Sequence, residues 1–177
     1  MRVALYFGSF NPLHIGHMAI CHYLTDNNEV DQVRLVVSPQ NPLKESNQRL
    51  SGSIRLEQTR KAASKMGNQI VVSDIEFSLP EPLYTIKTLR KLSELEPENT
   101  FILVIGADNL SIIEQWNSWR ELLDEYEVWV YPRSGFSGKE LCQKYGVRLL
   151  DSPIIDVSST QIREGEAAGE DLSALKL

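Results

Sequence analysis

Short, mostly apolar runs alternate with helical patterns along the whole of this chain, and few architectures satisfy that arrangement. Val3–Phe7, Val33–Val37, Phe101–Ile105 and Val128–Tyr131 carry apolar residues on successive rather than alternate positions. A strand with one wet face alternates, whereas a parallel strand covered on both faces stays apolar along its length. Helical patterns fall between the runs. They cover Gly16 to Leu24, Ser53 to about Met66 with Ile54, Leu56 and Ala62 toward the core, and a segment from Thr85 with Ile86, Leu89 and Leu92. Further helices are expected over Ser118–Tyr126 and Lys139–Tyr145, and one opening at Asp156–Thr160 takes in Ile162 and Arg163. Shorter strands over Gln69–Ser73 and Val147–Leu150 complete the series. This repetition predicts an α/β fold: a doubly wound, Rossmann-like, mostly parallel sheet of five or six strands with helices on both faces. No internal repeat, low-complexity tract or linker interrupts the 177 residues. One domain spanning 1–177 is expected, long enough for a sizeable core.

In such sheets ligands bind beyond the carboxyl ends of the strands, near the switch point. The polar punctuation falls at those ends: Gly8–His17 after the first strand, Pro39–Lys44 after the second, Gly106–Asn109 after the fourth and Arg133 after the fifth. The first of these leads from a strand into a helix N-terminus, whose unpaired N–H groups and positive dipole end suit phosphates. Gly8 lets the backbone approach a ligand, Pro12 fixes the loop, and Gly16 keeps the helix start uncrowded. His14 and His17 can donate hydrogen bonds to phosphate oxygens. Near the C-terminus, Ser158, Ser159 and Thr160 supply hydroxyls suited to capping a helix start.

Other classes are disfavoured. There is neither a G-x-G-x-x-G nor a Walker A sequence, against a dinucleotide dehydrogenase and a P-loop NTPase. No cysteine or carboxylate with ligand spacing accompanies His14 and His17, so zinc is not expected, and His22 reads as an ordinary helix residue. A net charge of −6 argues against nucleic acid or an anionic membrane as the bulk partner, and positive groups must be gathered locally. No apolar run approaches the roughly 20 residues of a membrane span. Met1-Arg2 leads straight into a strand, so no signal peptide is expected. Cys21 and Cys142 lie far apart and read as reduced thiols in a cytoplasmic protein.

Gly8-Ser9-Phe10-Asn11-Pro12-Leu13-His14-Ile15-Gly16-His17 resembles the G-x-F-x-P-x-H-x-G-H signature of the HxGH nucleotidyltransferase superfamily. Val157-Ser158-Ser159-Thr160-Gln161-Ile162-Arg163 is similar to its I-S-S-T-x-I-R motif. Within the superfamily the middle of the chain looks most like the bacterial nicotinate-nucleotide adenylyltransferases. Tyr84–Leu89 resembles their S-Y-T-x-x-T-L segment, and Ile105–Leu110 with Trp116–Trp119 their G-A-D-x-L…W-x-x-W run. The chain also departs from the pattern. Asn41-Pro42-Leu43-Lys44 stands where the family has P-P-H-K, so the loop histidine is missing and only Lys44 carries over. Leu83 replaces the serine before Tyr84.

The resemblance implies an adenylyltransferase joining ATP and nicotinate mononucleotide, with Mg²⁺ on the ATP phosphates and no protein general base. It implies His14, His17 and Arg163 as catalytic residues. ATP would meet Gly8, Ser9, Phe10, Gly16, Gly106, Asp108, Arg133, Ser159 and Thr160. Lys44, Thr85 and Trp116 would serve the pyridine mononucleotide, with Trp119 a core anchor. His14, His17, Lys44, Arg133 and Arg163 are expected to supply the positive charge that holds two anions together. Partners would be small molecules, with a homo-oligomer left open. The alternatives are a phosphopantetheine adenylyltransferase, though those usually carry threonine at the place of His14 and lack W-x-x-W, and a non-catalytic nucleotide-binding protein on the same fold.

Overall fold

Six parallel strands make up one sheet among the described residues: β1 (Arg2–Gly8), β2 (Gln32–Val37), β3 (Ile70–Ser73), β4 (Thr100–Gly106), β5 (Glu127–Tyr131) and β6 (Arg148–Leu149). The computed structural model describes residues 1–39 and 51–177; Lys44 lies outside them. The strand order is β3-β2-β1-β4-β5-β6. The chain builds outward from β1 to one edge, then returns to the middle and builds to the other. The order therefore reverses between β1 and β4, where Tyr6 stands beside Val104. A crevice is expected at that point in an open doubly wound sheet.

Alternation along each strand divides the core in two. Ala4, Tyr6, Leu35, Val104, Trp129 and Tyr131 share one face with Ile20, Cys21 and Leu24 of α1 (Ile15–Asp26) and with Leu56, Ala62 and Ala63 of α2 (Gly52–Ala63). Leu5, Val36, Leu103, Ile105 and Val130 share the other with Ile86, Leu89 and Leu92 of α3 (Thr85–Leu95). Leu110 of α4 (Ala107–Leu110), Leu122 of α5 (Trp119–Glu125) and Cys142 of α6 (Lys139–Tyr145) close that second face. Full burial of a side chain such as Leu35 or Leu103 contributes about 1.5–3 kcal/mol.

One expected core contact fails. Ile54 is 45% exposed, and the inward face of α2 is Arg55, Leu56, Thr59, Ala62 and Ala63. Those positions recur at helical spacing and Ile54 falls just off the stripe, so a buried arginine takes the place given to an isoleucine. Both cysteines are buried and free. No helix among the described residues is long and apolar enough to cross a membrane. The chain's last residues return to its beginning: Lys176 bridges His14, and the Leu177 N–H donates to the Leu13 carbonyl at 3.3 Å.

Candidate active site

The loop after β1 is built around Phe10. Its backbone enters the left-handed region (φ 47°), and its ring turns inward between Tyr6 and His17, with centroids 5.8 and 5.1 Å away. A Cβ on Gly8 would lie 3.0 Å from that ring. Gly8 thus makes room for Phe10. Phe10, read from sequence as an ATP contact, is 3% exposed and lines neither cavity described below. Its apolar ring supports His17 from beneath.

His14 is the N-cap of α1. Its Nδ1 accepts from the Gly16 N–H at 3.1 Å and the His17 N–H at 3.4 Å, while His17 Nδ1 accepts from the His14 N–H at 3.1 Å. This is a reciprocal capping box made from two imidazoles. The rings stack with centroids 3.6 Å apart. A Cβ on Gly16 would come within 2.9 Å of the His14 ring, so glycine is required there for the stack. Because each Nδ1 accepts a backbone N–H, the proton of each neutral ring resides on Nε2. Burial, with Arg133 nearby, pushes His14 down to about 4. Burial, then His14, then Arg133 hold His17 well below the ordinary imidazole range. The expectation that these histidines supply positive charge is therefore corrected. Two stacked, desolvated rings beside a guanidinium stay neutral at neutral pH and act as Nε2–H donors.

These rings open on a cavity of about 490 Å³. Ser9, His14, Gly16, His17, Arg133, Ser159, Thr160 and Arg163 all line it, gathered from both ends of the chain. The helix α7 (Ser159–Ala167) is capped by the Ser158 hydroxyl, which accepts from the Gln161 N–H at 3.0 Å. It is tied to the first loop at two points: Ser159 Oγ donates to the Pro12 carbonyl at 2.8 Å, and Arg163 Nη1 to the Asn11 carbonyl at 2.6 Å. Arg163 Nη2 also donates to Thr160 Oγ1 at 3.2 Å. Asp108 and Gly106 do not line the cavity. Asp108 stands behind it, with Oδ2 3.7 Å from Arg133 Nη1 and Oδ1 buried without a partner. A Cβ on Gly106 would collide with that Oδ1.

A second cavity of about 680 Å³ adjoins the first, sharing Tyr6, Ser38, Pro39 and Tyr131 with it. Thr85, at the start of α3, and Trp116 line it together with Gly8, Leu83, Tyr84, Leu103, Ile105 and Asn109. Trp119 lines neither cavity; it is partly buried against the second core face and packs edge-on with Tyr145 at 5.9 Å.

Three features were not read from sequence. Arg55 is 4% exposed, lines the first cavity, and donates to the Ser9 carbonyl at 2.8 Å and the Ser38 carbonyl at 2.9 Å, joining the loops after β1 and β2. Glu76 is buried in the wall of the second cavity and accepts from Thr88 Oγ1 at 2.6 Å; burial raises its carboxyl pKa. The Tyr6 and Tyr131 hydroxyls meet at 3.3 Å. A charged residue on the inward stripe of a helix was the available signal for Arg55. Glu76 depends on a contact between the turn after β3 and α3, and the tyrosine pair on one across the sheet.

A doubly wound sheet with a polar, helix-capped cavity beside a more apolar one, both at its carboxyl edge, defines a Rossmann-like nucleotide-binding protein. The cytidylyltransferase-like family model matches residues 5–165. Relatives from Porphyromonas gingivalis (43% identical, covering 97% of this chain and 87% of that protein) and Cytophaga hutchinsonii (40% identical, 92% and 84%) are each named probable nicotinate-nucleotide adenylyltransferase. The chain belongs to the cytidylyltransferase-like family and, within it, to the nicotinate-nucleotide adenylyltransferases. Its fold is shared with Plasmodium falciparum nicotinic acid mononucleotide adenylyltransferase. The complex of that protein with NaAD superposes with a TM-score of 0.77 at 20% identity, covering 92% of this chain and 82% of that one. Its complex with APC gives 0.74 at 22% identity, covering 97% and 87%.

Proposed function

We propose that this chain transfers the adenylyl group of ATP to nicotinate mononucleotide, giving nicotinate adenine dinucleotide and pyrophosphate in NAD biosynthesis. The observation that carries the reading is the pair of adjoining cavities. One is lined by His14, His17, Arg133 and Arg163, the other by Thr85 and Trp116, and they meet at a common wall. ATP takes the first and the mononucleotide the second, with the residues 1–177 acting as one nucleotidyltransferase domain.

The attacking 5′-phosphate is already an anion at neutral pH, so the step needs no protein base. What remains is in-line positioning and stabilisation of charge on the transferring phosphoryl group. His14 and His17 hold Nε2 protons toward the α- and β-phosphates, and those bonds strengthen as charge moves to the departing pyrophosphate. Arg163 and Arg133 supply the full positive charge, and the N-termini of α1 and α7 add partial charge. The Trp116 ring offers an apolar face to the pyridine, and Thr85 a hydroxyl near its carboxylate.

A divalent cation, Mg²⁺ in this reading, neutralises part of the polyphosphate charge when bound. Among the described residues no group of three or more His, Cys, Asp or Glu side chains could hold a metal. That donor set fits a cation held chiefly by phosphates and water. Asp108 would act on it only through Arg133, whose Nη1 lies 3.7 Å from Asp108 Oδ2.

The test is pyrophosphate release by the purified protein with ATP and Mg²⁺, offered nicotinate mononucleotide, nicotinamide mononucleotide or phosphopantetheine. Turnover with the pyridine mononucleotide is expected. Faster turnover with phosphopantetheine would overturn the substrate, and release with none of the three would overturn catalysis. Trp116→Ala should raise KM for the mononucleotide more than for ATP; equal effects would return Trp116 to a packing role.

A further inference from the structure

Four residues form the wall common to both cavities: Tyr6, Ser38, Pro39 and Tyr131. Pro39 has no N–H. The Ser38 carbonyl accepts from Arg55 and its side chain bonds Glu76. For an anion, which needs donors, the wall leaves the tyrosine hydroxyls; the Tyr131 oxygen also bonds Arg133, which does not use the Tyr131 proton. Tyr6 is on β1 and Tyr131 on β5, and they reach toward each other over the intervening β4.

We infer that the Tyr131 hydroxyl donates a hydrogen bond to the phosphoryl oxygen at the seam where the two ligands meet, with Tyr6 as its positioning residue. This rests on the adenylyl-transfer reading above and adds a group to it. Two hydroxyls sharing one hydrogen bond use one proton and keep the other. Tyr6 donates and Tyr131 accepts, so the remaining proton is that of Tyr131. At 3.3 Å the bond is longer than the usual O–H···O distance, so a nearby anion competes well for the pair. Both rings are held on strands. Tyr6 packs edge-on against Phe10 (5.8 Å), His17 (5.8 Å) and Tyr131 (5.6 Å), which fixes where the hydroxyls can point. Burial raises both phenols above their ordinary range, so they serve as donors and not as bases. No bond to the tyrosine forms or breaks, and its proton stays in place throughout.

The test compares Tyr131→Phe, Tyr6→Phe and the double variant in the pyrophosphate-release assay, with melting temperatures alongside. Tyr131→Phe is expected to lower kcat about tenfold while both KM values stay within about twofold of wild type. Tyr6→Phe should cost two- to threefold in kcat, and the double variant no more than Tyr131→Phe, because the pair acts as a unit. A Tyr131→Phe enzyme with wild-type kcat, or losses that multiply in the double variant, would sink the inference and leave the proposed reaction standing. Wild-type protein that makes no dinucleotide would take down both together. If Tyr131→Phe does not fold, Tyr6→Phe alone decides: a two- to threefold loss in kcat at unchanged KM upholds the paired donor, and an unchanged kcat overturns the inference.

Discussion

His14 and His17 commit their Nδ1 lone pairs to the backbone, and this decides what each can do to a ligand. Removing His17 takes away an Nε2–H donor and also half of the α1 capping box. Turnover in His17→Ala should fall by more than roughly tenfold, and the lost cap should cost about 1 kcal/mol of stability. Steady-state kinetics with far-UV circular dichroism separate the two; wild-type turnover in a folded variant would exclude His17 from the mechanism. Both imidazoles titrate lower in the folded chain than in the unfolded one, where the ordinary value is about 6.5. As pH falls below that value the unfolded chain takes up protons first, so the folded state loses stability from about pH 6.5 down to the His14 value of about 4. Melting temperature should therefore decline between pH 7 and 5. His14→Asn, which keeps a capping acceptor, should flatten the decline; an equal decline in both proteins would assign it to other groups.

At the scale of elements, the site exists because helices are pinned to loops distant in sequence. The helix α7 is joined to the loop after β1 through Ser159 and Arg163. The helix α2 is joined to that loop and to the end of β2 through the Arg55 fork. A lysine keeps the charge but presents one point donor and cannot span both carbonyls in the same way. Arg55→Lys should raise KM for ATP several-fold, with a smaller change in kcat. It should also lower stability by about 1 kcal/mol, from one part-buried hydrogen bond lost. Substrate-dependence curves and denaturant unfolding give these two numbers. An unchanged KM for ATP would show that α2 does not set the shape of the first cavity.

For the molecule as a whole, a net charge of −6 must be reconciled with two anionic ligands in one crevice. In the proposed reaction two anions must meet, so a divalent cation should be needed for turnover, and one that arrives with ATP should not be needed for folding. A chelator should abolish pyrophosphate release while leaving the melting temperature of the ligand-free protein unchanged; a large drop in melting temperature would reveal a resident metal. The alternation of apolar runs with helical patterns was enough to read a parallel doubly wound sheet, because strands buried on both faces carry that need in their own composition. The motifs at either end of the chain were legible because phosphate loops require fixed local spacings of glycine, proline, histidine and hydroxyl residues. Other features were not legible: the inward turn of Phe10, the buried Arg55 fork, the neutrality of the stacked imidazoles and the Tyr6–Tyr131 contact across β4. Each arises from burial or from contacts that only the folded chain makes, within one loop for Phe10 and between distant segments for Arg55 and the tyrosines. Local pattern records which residues can bind phosphate, but charge state and shared walls depend on what the folded chain brings beside them.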